Sequence, residues 1–154
     1  MLIPRKTKYI NNELCTRCGG KCCKRLPGIT LPEDWGKESA IIQKQLIKAF
    51  KSKKYAIDWW EDDKPLYFVR PATKGINKLY DPSWGGECIF LTPSGCELKP
   101  EKRPSGCINL EPQIDGNGCI NHGPDKFVFA KAWKPYKNII HIAAKSANAT
   151  PVST

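Results

Sequence analysis

Thr30-Leu-Pro-Glu-Asp-Trp-Gly-Lys-Glu-Ser-Ala-Ile-Ile-Gln-Lys-Gln-Leu-Ile-Lys-Ala-Phe50 is the stretch whose reading decides the fold. Thr30 stands where a helix N-cap belongs, Pro32 falls in the first turn, and Glu33 occupies the capping-box position. Trp35, Ile42, Leu46, Ala49 and Phe50 recur at helical spacing, while Lys44, Lys48 and Lys51 take the other faces. The pattern predicts one helix over about 31–53, its apolar stripe turned to a core and its lysines to water. Just beyond it, Tyr55-Ala-Ile-Asp-Trp-Trp-Glu61 and Leu66-Tyr-Phe-Val-Arg70 are aromatic and β-branched. Asp62 to Pro65 separate them, so they predict a hairpin with a four-residue loop that Pro71 terminates.

Further along, Cys88-Ile-Phe-Leu91 and Cys96-Glu-Leu98 predict two short strands around a Thr-Pro-Ser-Gly turn. Residues 73–87 read as loop and 100–124 as turn-rich. A second helix is expected over about 125–133, with Phe127, Ala130 and Trp133 on one face until Pro135 interrupts it. Asn138 to Ala144 fits a strand or a helical turn equally well. The sum is a small single α+β domain: one long helix in the N-terminal half, short β-hairpins, and Cys-rich loops around a metal centre. An extended arm (1–14) precedes the domain (15–145), and a loose tail (146–154) follows.

The loops carry the chemistry. Among 154 residues there are eight cysteines, and seven lie in two clusters. The first reads Cys15-Thr-Arg-Cys18-Gly-Gly-Lys-Cys22-Cys23; the second holds Cys88, Cys96 and Cys107. Cys119 follows, with His122 three residues on. Thiolates at such gaps on glycine-bearing backbone can converge on a metal ion or cluster. Nothing in the opening residues reads as a targeting segment, and no apolar run approaches the ~20 residues of a membrane span. The expectation is therefore a cytoplasmic chain with reduced thiols and no membrane partner, which argues against a disulfide framework. The adjacency of Cys22 and Cys23 argues the same way, because neighbours bond to each other only under strain.

Charge narrows the partners. Residues 1–54 hold 13 Lys and Arg against 4 Asp and Glu, a net of +9; residues 55–154 hold 12 against 11, a net of +1. The basic first third suits a polyanion such as nucleic acid, or else Arg17, Lys21, Lys24 and Arg25 offset thiolate charge. The hairpin aromatics Trp59, Trp60, Tyr67 and Phe68 fit a nucleic-acid-binding metal module, although Asp58, Glu61, Asp62 and Asp63 oppose it. Arg103, fixed by Pro104 just ahead of Cys107, is a candidate donor to cluster sulfurs or to a bound anion.

Cys15, Cys18, Cys22 and Cys23, with Cys88, Phe90, Leu91, Gly95, Cys96, Leu98, Arg103, Pro104 and Cys107, resemble the CxxCxxCC family of zinc- or iron-chelating domains. The likeness covers about residues 15 to 107 and rests on two separate blocks. One departure is that three residues separate Cys18 from Cys22, where the family name specifies two. The resemblance implies metal binding. Some relatives, such as flagellin lysine N-methylases, look like iron–sulfur proteins acting with S-adenosylmethionine, which makes a protein-modifying enzyme a further alternative. Spacing leaves both a [4Fe–4S] cluster and zinc open, because each accepts about four thiolates.

Overall fold

In the computed structural model, the structure describes residues 28–61, 63–82, 86–99, 102–108, 110–112, 119–121 and 126–148. The arm, the first cysteine cluster, Asp62, His122 and the residues after 148 lie outside them.

The long helix starts later than its cap signal. A 3-10 turn occupies Pro32–Asp34, and helix α1 runs Ser39–Lys51. Thr30 does not cap it, because its hydroxyl is committed elsewhere. It donates to the Val69 carbonyl at 2.7 Å and accepts the Trp35 indole N–H at 3.0 Å. Asp34 is likewise taken: its carboxylate accepts the Leu31 N–H at 2.9 Å and, across the fold, both the N–H and the hydroxyl of Ser105. Trp35 is buried as expected but sits before the helix. The predicted stripe holds from there on, with Ile42, Leu46, Ala49 and Phe50 buried and Lys44, Lys48 and Lys51 exposed. Lys53, at φ 63°, makes the left-handed reversal that turns the chain into the first strand.

Strands β1 (Tyr55–Trp60) and β2 (Leu66–Pro71) form the predicted antiparallel hairpin, with Trp60 opposite Leu66 and Tyr55 opposite Pro71. Its loop is Glu61 to Pro65, one residue longer than expected. Neither edge of the hairpin is left bare. Ile57 exchanges backbone hydrogen bonds with the 79–81 segment, and residues 72–74 pair with 87–89 beyond the end of β2. The second predicted hairpin is shorter than its sequence signal: β3 is Leu91–Thr92 and β4 is Gly95–Cys96. Cys88 precedes it, bridged to Thr73. Within the turn-rich region lie a short helix α2 (Ser105–Ile108) and a ladder of β5 (Leu110–Pro112) with β6 (Cys119–Asn121). Sequence reading did not anticipate that ladder.

Helix α3 (Lys126–Ala132) ends at the 3-10 turn Lys134–Tyr136, where Pro135 falls, and α4 follows over Lys137–Asn148. On α3 the inward aromatic is Phe129, 3% exposed, not Phe127, which at 36% reaches only the edge of Trp60. The ambiguous Asn138–Ala144 stretch is helix and continues to Asn148, into the stretch read as tail. It buries Ile140, Ala143, Ala144 and Ala147, a spacing that fits only a helical face. Three alanines there let α4 lie close on α1, and both helices close over the hairpin's Ile57, Phe68 and Val69. The result is α+β: four helices and three two-stranded antiparallel ladders among the described residues.

One buried charge cluster braces the hairpin. Arg70, fully buried, binds Asp58 at 2.9 Å and Asp81 at 3.1 Å, and donates to the carbonyls of Pro71 and Asp81. Burial lifts the Asp58 carboxyl above its usual range, and hydrogen bonding from Arg70 pulls part of that rise back. Removing the guanidinium strands two carboxylates out of water. Arg70→Met is therefore expected to cost about 3–5 kcal/mol in urea denaturation, far more than its lost packing. A loss below about 1 kcal/mol would show the carboxylates to be satisfied without it.

Candidate metal centre

The second cysteine cluster folds as a series of tight turns whose backbone bonds are satisfied locally. Leu91 N–H donates to the Cys88 carbonyl, and Glu97 N–H to that of Phe90. Thr92 caps the Thr92–Gly95 turn: its hydroxyl donates to the Gly95 carbonyl at 2.7 Å and accepts the Ser94 N–H. Gly95, at φ 109°, takes a conformation that a side chain would strain. The chain then passes Arg103, 7% exposed, whose Nε donates to the Leu98 carbonyl at 3.0 Å. This bond commits one Arg103 donor to loop backbone. Pro104 and Ser105 are buried, and the Ser105 clasp on Asp34 locks the start of α2 to the 3-10 turn.

Cys88 and Cys96 are free thiols, and Cys107 follows them in the same cluster. Cys88 is buried, the other two half-buried. Burial pushes the Cys88 thiol up to about 11, and the neighbouring Cys96 adds to the rise. A hydrogen bond from the Phe90 N–H, with Lys74 and Arg70 more weakly, opposes it. The three meet electrostatically at Tyr55. Burial raises that phenol first, and the charges that Cys107, Cys88, Cys96 and Asp34 can carry raise it further. The Tyr55 ring is wedged between Trp35, edge-on at 4.9 Å, and Phe90 at 5.4 Å. An apolar wall thus stands beside three thiols drawn from separate turns.

Cys107 packs against the first described residue, Gly28. Its sulfur lies against Gly28, so closely that a Cβ on that glycine would overlap it. Next to it Gly106 donates its N–H to the Ile29 carbonyl at 2.9 Å, and a Cβ on Gly106 would come within 2.7 Å of the Ile29 nitrogen. Two backbones therefore touch at a pair of glycines. Gly28 is five residues after Cys23 and six after Cys22.

Among the described residues, no group of three or more Cys, His, Asp or Glu is arranged to hold a metal ion. Of the predicted donors, Cys88, Cys96 and Cys107 share the Tyr55 neighbourhood, and Cys119 belongs to β6. Cys15, Cys18, Cys22, Cys23 and His122 lie outside the described residues. His141 is not among the donors: it packs on Tyr67 and its Nδ1 sits 2.7 Å from the Tyr80 hydroxyl. Tyr55 and the Asp34–Ser105 clasp were not foreseen as parts of the site. The only sequence signal was that Ser105-Gly106-Cys107 directly follows Arg103-Pro104. Set against protein-family models, curated proteins and solved structures, the chain matches none of them.

The glycine contact makes a direct prediction. Gly106→Ala forces its Cβ into backbone that cannot swing aside, so it should destabilise by about 1–3 kcal/mol. Lys44→Ala, at an exposed position on α1, should cost less than about 0.5 kcal/mol. Equal melting temperatures for the two variants would contradict the contact.

Proposed function

We propose that this chain is a metal-binding protein of the CxxCxxCC kind, holding an iron–sulfur cluster or zinc through its two cysteine clusters. The observation that carries the reading is the contact of the Cys107 sulfur with Gly28, beside the ring that Cys88 and Cys96 also neighbour. It brings the exit of the first cysteine segment against a thiol of the second. The donor chemistry fits: soft thiols beside an aromatic wall, in loops held by turn and cross-fold backbone hydrogen bonds. When bound, such a group supplies either a cross-link for loop backbone or a one-electron redox centre.

The surrounding residues have defined tasks in this reading. Tyr55, Trp35 and Phe90 give the cluster an aromatic wall, with Cys88 its most sheltered thiol. Gly28 and Gly106 let the two segments approach. Asp34 holds Ser105 and hence the start of the helix that carries Cys107. Cys88 resists losing its proton, so loading releases protons and strengthens as pH rises. Reduced thiols also place the chain, in this proposal, in the cytoplasm.

Anaerobic purification followed by Fe, Zn and acid-labile sulfide analysis tests the reading. A stoichiometric transition element is expected, coloured with sulfide if a cluster and colourless if zinc. Cys107→Ser and Cys88→Ser should each lower that stoichiometry while the hairpin and helices persist by circular dichroism. Freshly isolated, reduced protein that is folded yet metal-free would overturn it.

A further inference from the structure

A second surface, remote in kind from the thiols, is built where α4 crosses the hairpin. Trp59 and Tyr67 face each other across β1 and β2, with ring centroids 5.7 Å apart. Tyr67 meets the His141 ring edge-on at 4.6 Å, and His141 stacks on Tyr80 at 5.8 Å with 16° between planes. All four rings are half-buried, so part of each reaches solvent. Lys137 lies over the Tyr67 ring with its ammonium 5.8 Å from the centroid. Lys137, His141 and Lys145 fall at i, i+4 and i+8, one line along α4, and both lysines are exposed.

The charge carried by the two C-terminal helices is of one sign. Residues 126–148 contain five lysines and no Asp or Glu. Asp58, which in sequence lies among the aromatics, is buried against Arg70 and presents no charge here. Glu61 accepts the Trp59 indole N–H at 2.9 Å, so one carboxylate borders the array, at the hairpin end.

We infer that Trp59, Tyr67, Tyr80, Lys137, His141 and Lys145 form a binding surface for single-stranded nucleic acid. Rings that reach solvent stack bases, and the cationic line on α4 tracks phosphates; that combination matches an unpaired strand. An anionic membrane would call for a broad apolar face, whereas the exposed Ile142 on α4 stands singly. This surface shares no residue with the proposed metal donors, and it moves the polyanion site from the basic first third to the hairpin and last helix.

Fluorescence anisotropy of the full chain with a labelled oligodeoxythymidine of about 15 nucleotides tests it, since such sites span roughly 4–16. Binding should appear at low salt and fall as salt rises. Trp59→Ala should weaken it about tenfold while leaving heparin affinity unchanged, because heparin has no bases to stack. The Lys137→Gln/Lys145→Gln variant should weaken both ligands and lower the log–log salt slope by about 1.4. Lys44→Gln/Lys48→Gln on α1 should change little. Folding of each variant is checked by far-UV circular dichroism, and the double lysine variant, altered only at exposed positions, stands if Trp59→Ala does not fold. No salt-dependent binding, or wild-type affinity in the folded lysine variant, would overturn the inference. So would capture on phosphatidylserine vesicles without oligonucleotide binding.

Discussion

Thr30 is the residue on which the rest of the architecture turns. Its N–H and hydroxyl both donate to the Val69 carbonyl, at 3.0 and 2.7 Å. The hydroxyl oxygen accepts the Trp35 indole, and its own carbonyl accepts the Trp133 indole at 2.7 Å. Every polar atom of one fully buried residue is thus spent, and the hairpin, the turn before α1 and the end of α3 are tied at one point. Buried donors and acceptors left unmatched cost about 1–3 kcal/mol each, so neither Val nor Ser serves in its place. Val would strand an indole N–H, and Ser would leave a methyl-sized gap.

That knot also determines what the cysteine loops can do. It fixes Ile29, whose carbonyl holds Gly106, and so brings α2 and Cys107 against the chain that leaves the first cysteine segment. Asp34, one turn on, repeats the tie through Ser105. The thiols of the second cluster are therefore carried by turns secured to the core from behind. Tight turns alone would not orient them, since two-residue ladders such as β3–β4 have too few bonds for independent stability.

Much of this was legible in the chain, and the failures have a common cause. The body of α1 and the β1–β2 hairpin announced themselves because their signals are local: apolar residues one turn apart, or β-branched runs split by a turn. The start of α1 misled because Thr30 looks like a cap until its partner Val69, far along the chain, is known. Ile139-Ile140-His141-Ile142 was ambiguous because four apolar or aromatic positions fit either period. Ala143, Ala144 and Ala147 settled it only by packing on α1. The ladder of β5 and β6 lies among glycines and prolines, where pattern carries little information. At the site, residue type marked the sulfurs directly. Tyr55 gave no such sign, since a tyrosine in a strand reads the same whether it faces water or three thiols.

The pairing of α1 with α4 bears on how the protein is made. The two helices line the same core, yet residues 52–136 separate them. During synthesis the hairpin can cover Leu46 and Phe50 early. The side of α1 that meets α4 must wait for nearly all of that intervening chain, so closure depends on late, long-range contact. A nascent chain stalled before Lys137 would leave the α4-facing side of that stripe uncovered between its lysines, a natural target for chaperones at the ribosome exit.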